Sequence, residues 1–209
     1  MSDLKLLVAS INKILSRPVG ATSSSQEVIR LGDEIITTYE PSSATHDATH
    51  EADDLKPLLN CLCEDGIAIE TEIIYTKVIK ILLRKASNRV ALGKAGVVAI
   101  VTVLRRQTNR RPAPGLAAAV VAAANAIAVA TTDICNVVLN ASYLGINTEM
   151  LVEEGGVPPL LTLLRAGEPA VLASVLSAIQ GICYIPTGRL LVRQHTEVRG
   201  LTGTGVRWQ

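Results

Sequence analysis

NTEMLVEEGGVPPLLTLLRAGEPAVLASVLSAIQGICYIPTGRLLVR, residues Asn147 to Arg193, decides the fold. Met150 to Glu154 is a short helix, and Gly155-Gly156 ends it, because glycine accepts the left-handed backbone that a helix C-terminus needs. Pro158 and Pro159 open a second helix, at positions where a missing N–H costs little. Leu160, Leu161, Leu163 and Leu164 are too apolar for a surface helix, so this one is buried on most sides, and Gly167 closes it. Pro169 starts a third helix in which Val171, Leu172, Val175, Leu176, Ile179 and Ile182 recur at spacings of three and four. Ala173, Ser174, Ser177, Ala178 and Gly181 fill the gaps and permit close packing. Three amphipathic helices of this size cannot bury their apolar faces alone. They need stacked neighbours, which is the logic of an all-α solenoid.

Outward from that stretch, the same signals weaken. Asn88 to Leu104 (NRVALGKAGVVAIVTVL) repeats the first and second helices, with Ala95-Gly96 in the place of Gly155-Gly156. Gly96 and Gly156 are sixty residues apart, longer than a helical repeat of about forty. The excess lies between Gln107 and Asn147. It begins with an exposed loop, TNRRPAP, that gathers Arg105, Arg106, Arg110 and Arg111 into a local basic patch. An alanine-rich helix follows from Pro114 to Thr131, and a further helical segment runs from Asp133 to Tyr143. The two are either separated at Thr131-Thr132-Asp133 or joined as one long helix. Upstream, Asp54 to Cys63 is a helix of the second type and Ile67 to Lys85 one of the third type. On the latter, Lys77, Lys80 and Arg84 form a basic stripe, either a solvated face or a contact for an acidic partner.

The N-terminal residues 1–40 read as two helices that cap the first repeat. Leu4, Leu7, Val8, Ile11 and Leu15 share a face of the first, and Val28, Leu31, Ile35 and Tyr39 a face of the second. Ser24 and Glu27 make a capping-box pattern, and Pro41 stops the helix. Residues 41–53 form a polar linker with His46 and His50 among acidic residues, and nothing there fixes them as metal ligands. Residues 54–194 hold the repeats. Gly188 to Gln194 begins the first helix of a further repeat, and 195–209 reads as an irregular, disordered tail that leaves the last repeat's apolar edge exposed, to bind a partner, self-associate or destabilise the fold.

Composition narrows the function. The chain has 209 residues, 48% hydrophobic, with no Phe, one Trp and a formal net charge of +1. A global basic field and aromatic stacking platforms for nucleic acid are therefore absent. The stretch Pro114 to Thr131 is apolar but is expected as a buried helix, not a membrane span, and Met1 opens no secretory signal. Cys61, Cys63, Cys135 and Cys183 fall in apolar helical patterns and read as reduced core residues of a cytoplasmic or nuclear protein. No phosphate-binding glycine loop, nucleophile elbow or cysteine pair with zinc spacing occurs, and His46, His50 and His195 lie in expected loops. An enzyme, a metal and a cofactor are not expected.

The helix punctuation of Asn147 to Arg193 resembles one repeat of the armadillo family, and the resemblance extends over Asp54 to Gln194 as about three repeats. It implies a right-handed superhelical solenoid with an N-terminal helical cap. It also implies a non-catalytic scaffold that holds a protein partner along concave third helices. In that family a ladder of asparagines grips the partner's backbone. Asn140 matches the ladder, whereas Gly181 and the surroundings of Ile81 do not, which departs from import-receptor and catenin-like grooves. The partner-binding set implied is Lys77, Lys80, Arg84, Asn140, Ser174, Ser177 and Gln180. A narrower resemblance joins Gly181-Ile182-Cys183-Tyr184, Gly188-Arg189 and Val138 to Leu161 to armadillo-type GDP-dissociation stimulators. That likeness implies a small GTPase as partner and stimulated nucleotide exchange as the alternative function.

Overall fold

The computed structural model describes residues 4–15, 23–39, 55–64, 66–110 and 117–197. In chain order the helices are α1 Leu4–Leu15, α2 Ser23–Tyr39, α3 Leu55–Leu62, α4 Ile69–Leu82, α5 Ala86–Asn109, α6 Ala117–Ser142, α7 Gly145–Glu153, α8 Val157–Ala166, α9 Pro169–Ile182 and α10 Pro186–Glu197. The described residues contain helices and turns and no strand.

The punctuation works as the residue types require. Gly155 (φ 77°) and Gly167 (φ 66°) take the left-handed conformation after α7 and α8. Prolines occupy the first turns of α8 and α9. Gly156 donates its N–H to Leu151 O at 2.8 Å, and a Cβ at that position would lie 2.8 Å from the same carbonyl. The first helix is longer than Met150 to Glu154: α7 begins at Gly145.

The helices pack in two rows. Helices α2, α4, α6 and α9 contact one another in that order, and α1, α3, α5 and α8 do the same beside them. In the first two helices Leu7, Val8, Ile11, Val28, Leu31, Ile35 and Tyr39 are buried, and α1 rests on α3 while α2 rests on α4. The side chains of Leu4, Leu15 and Ser24 lie outside the described residues, as do the linker 41–53 with its two histidines and residues 198–209.

A hydrogen-bonding device recurs where each third helix turns into the next repeat. Asn88 Nδ2 donates to Leu82 O at 2.8 Å, and Asn147 Nδ2 reaches Ala141 O, also six residues back, at 3.4 Å. The following residue caps the same helix end. Arg89 Nη1 donates to Leu83 O (2.9 Å) and Arg84 O (2.8 Å), Thr148 Oγ1 to Ser142 O (3.0 Å), and Arg189 Nη1 to Cys183 O (2.8 Å) and Tyr184 O (3.2 Å). Leu82 O and Ala141 O, which already accept the turn N–H groups of Lys85 and Leu144, thereby gain a second donor, and the carbonyls beyond them gain a side-chain donor at the helix end. Gly188 stands in the asparagine's place, packed against the Ile182 carbonyl. Adjacent junctions are also tied together: Asn147 Nδ2 donates to Arg89 O at 2.7 Å, and the Arg89 guanidinium lies 5.8 Å from the Tyr143 ring centre.

Four expectations are corrected and one open alternative is decided. The break in α5 falls at Gly93 (φ 57°, ψ −175°), not at Ala95-Gly96. Gly96 instead lets Leu59 of α3 and Leu92 approach the backbone. Of the two arrangements left open for residues 117–142, the single long helix is the one found: Thr131 Oγ1 bonds back to Ile127 O at 2.7 Å and stays within it. The alanine-rich half of that helix is not buried. Its burial begins at Ala130, and Val121 is 59% exposed, because α6 has 26 residues where α4 and α9 have 14 each and its first half overshoots the stack. The excess between repeats is thus partly this projection. Helix α10 runs to Glu197, so His195 is helical and not in the tail. Only Cys135 is fully buried; Cys61 and Cys183 are half-buried and Cys63 is exposed. By length and composition α5 and α6 could each cross a membrane, a test that buried core helices also pass.

Candidate partner-binding surface

The junction bonds align the third helices residue for residue, since Leu82, Ala141 and Ile182 hold equivalent places. Five residues before each stand Lys77, Asn136 and Ser177, all partly accessible. This row of polar side chains crosses α4, α6 and α9. Between α4 and α6 it borders a groove of about 390 Å³ lined by Lys77, Thr132, Asp133, Asn136 and Ala170, with Lys80 at its side.

The basic stripe is divided. Lys77 faces the groove, half accessible. Lys80 is 9% exposed, and its Nζ lies 2.7 Å from Asp133 Oδ1 in α6. Arg84 Nη1 donates to Tyr39 O at 3.0 Å, fastening α2 to the end of α4. Two of the three cations therefore hold helices together. Asn140 is used in the same way: its Nδ2 donates to Lys80 O at 3.0 Å. Ser174 is half-buried, Ser177 Oγ donates to Ala173 O at 2.9 Å, and Gln180 is exposed. Asn136, which the sequence reading passed over, lines the groove. Its signal was its offset from the helix end, shared with Lys77 and Ser177.

The basic patch near residue 110 is also absorbed by the fold. Glu72 is fully buried and receives Arg106 Nη1 at 2.6 Å, Arg110 Nη1 at 2.8 Å and Nη2 at 3.0 Å, and the Gln107 amide. Arg105 donates to Glu154 O at 2.6 Å. Arg111 lies outside the described residues. Arg106 and Arg110 thus form a cross-repeat clamp on a buried carboxylate.

The thiols are not poised for nucleophilic chemistry. Burial pushes Cys135 up to about 12. Burial, aided by Glu64, pushes Cys61 up to about 11. Cys63 and Cys183 are raised by desolvation against the opposing pull of Arg106 and Arg189. A thiol above its ordinary pKa is protonated at neutral pH, the reverse of an activated cysteine. Among the described residues no three His, Cys, Asp or Glu side chains come together as metal ligands.

Residues 146–184 match the family model described as Armadillo/beta-catenin-like repeat. The match spans α7, α8 and α9, the helices whose punctuation is clearest. No curated protein and no solved structure matches the chain.

Proposed function

The chain carries an armadillo repeat, and on that premise we propose that it is a non-catalytic scaffold that binds a protein partner along a concave surface formed by α4, α6 and α9. The observation that carries this reading is the aligned row Lys77, Asn136 and Ser177, of which Lys77 and Asn136 line an open groove. These side chains present a cation, an amide and a hydroxyl, groups that can pair with an extended or acidic segment without catalysis. Ser174 and Gln180 extend the row on α9, and Lys80 and Asn140 fix its geometry from behind. The two rows of helices support a right-handed superhelix, and α1 and α2, resting on α3 and α4, act as its N-terminal cap. A cytoplasmic or nuclear location is part of the same proposal, and the four free cysteines are compatible with it.

A narrower form of the proposal makes the partner a small GTPase whose GDP release the chain stimulates. It rests on the likeness of residues 138–161 and 181–189 to GDP-dissociation stimulators. Gly181 and Gly188 in that likeness are both demanded by packing, against Ser142 and the Ile182 carbonyl. They therefore speak for the fold more than for the partner.

The test is capture of a partner from cell extract by the full chain, by Lys77→Glu/Asn136→Arg, and by Thr162→Lys on the opposite row. Loss in the first variant alone, with thermal unfolding unchanged, supports the groove. Loss in Thr162→Lys alone overturns it. GDP-release kinetics on a captured GTPase then separate exchange from simple binding.

A further inference from the structure

Among the described residues α9 is the last of the third helices, and its outward face repeats a set of positions that both preceding third helices keep covered. By the junction alignment, Glu72, Thr76, Ile79 and Leu83 correspond to Thr131, Cys135, Val138 and Ser142, and then to Leu172, Leu176, Ile179 and Cys183. The first two sets are buried throughout, at 4% exposure or less. What buries them is the following repeat. Glu72 is held by Arg106 and Arg110 near the end of α5, Thr131 shares a pocket with Leu163 of α8 and Val171 of α9, and Ser142 meets Gly181 of α9. On α9 the same four positions are apolar, yet Leu176 is 50% exposed and the other three are only half-buried.

We infer that this face is the interface of a two-fold dimer in which α9 packs against α9 of a second copy of this chain. The face continues the helix-on-helix stacking that already joins α4 to α6 and α6 to α9. Helix α9 has no charged residue from Pro169 to Ile182, so the surface is complementary to itself, which an isologous contact requires. The opposite end of the row is not its complement. There α2 exposes Glu27, Arg30 and Asp33, and Arg30 pairs with Glu34 at 3.5 Å. Head-to-tail stacking would bury those charges against leucine and isoleucine, so the apolar face selects its own kind.

Sedimentation velocity on the full chain over a concentration series tests this. The expected result is a concentration-dependent mass that saturates at twice the monomer. Leu176→Lys and Leu176→Glu each weaken the dimer by about tenfold or more while keeping the helical circular-dichroism spectrum, since the side chain is half exposed. Mixing the two variants restores a dimer, because residue 176 lies near the middle of the stripe and meets its partner across the axis. A monomer at every concentration overturns the inference. So does mass that grows past two, which marks head-to-tail assembly. A dimer that survives Leu176→Lys and is lost in Val121→Lys overturns it as well, by moving the contact to the projecting half of α6.

Discussion

Lys80 Nζ of α4 lies 2.7 Å from Asp133 Oδ1 of α6, and the backbone carbonyl of Lys80 accepts the Asn140 amide at 3.0 Å. One residue thus binds the neighbouring third helix by its charge and by its main chain. Both side chains of the ion pair are buried. Removing one partner leaves a charge in a low-dielectric site, so Asp133→Leu alone, or Lys80→Met alone, is expected to destabilise the fold by about 3–5 kcal/mol. Replacing both, as Lys80→Met/Asp133→Leu, is expected to cost far less than the sum of the single changes. Urea unfolding of the four proteins closes the cycle, and additive effects would contradict a coupled pair.

Gly181 permits α9 to approach α6. A Cβ there would overlap the Ser142 hydroxyl and stand 3.1 Å from Ser142 Cβ. Gly181→Ala is therefore expected to lower stability by about 1–3 kcal/mol through overpacking, despite alanine's higher helix propensity. Ser142→Ala removes the nearest atom and should recover part of the loss in the double variant. Thermal melts that show Gly181→Ala as neutral would mean that the helices stand further apart.

Asn147 joins two repeat junctions, donating to Ala141 O and to Arg89 O. Asn147→Ala removes the shorter bond, to Arg89 O, from a buried site, while Ala141 O keeps the Leu144 N–H, and is expected to cost about 1–3 kcal/mol. Asn147→Asp, similar in shape but unable to donate when ionised, should be no better. Hydrogen exchange should show the loss spreading across α5 and α7, since the bond to Arg89 O joins them.

Legibility in the sequence followed the range of the interaction. Helices α8 and α9 were readable because proline, glycine and the leucine spacing act within one or two turns. The burial of Glu72 was not, because its partners Arg106 and Arg110 lie 34 and 38 residues away and each looks like a surface charge alone. Lys80 was read as part of a basic stripe for the same reason: Asp133 is 53 residues distant. Asn140 matched a ladder by position, yet its donation to Lys80 O spans 60 residues and is visible only once α4 and α6 are side by side. The alanine run of α6 misled in a different way. Alanine suits a buried helix and an exposed one equally, so composition did not say where the stack ends and the projection begins.

Val121 and Ala130 test that boundary directly. Both lie on α6, at 59% and 1% exposure. Val121→Lys is expected to leave monomer stability within about 0.5 kcal/mol, as a surface change does. Ala130→Lys forces a long cation into a closed site and should destabilise by more than about 3 kcal/mol. Equal damage from both, read by urea unfolding, would mean that the first half of α6 is covered in solution.

The buried thiol of Cys135 gives the fold an alkaline limit. Its ordinary value of 9.0 is pushed up to about 12 by burial. The folded state therefore keeps its proton where the unfolded state gives it up. The stabilising effect of the buried, neutral thiol is complete below about pH 9 and is lost as the pH climbs towards about 12, because the unfolded chain is increasingly favoured by ionisation. Each pH unit inside that window costs about 1.4 kcal/mol for a single such group. Cys61, raised to about 11, adds to the same limb. Urea midpoints measured at pH 8 and pH 10 should fall for the natural chain and fall less for Cys135→Ala. An identical drop in the two proteins would assign the alkaline loss to other groups, with the Tyr75 hydroxyl, which burial also holds above its ordinary value, the next to examine through Tyr75→Phe.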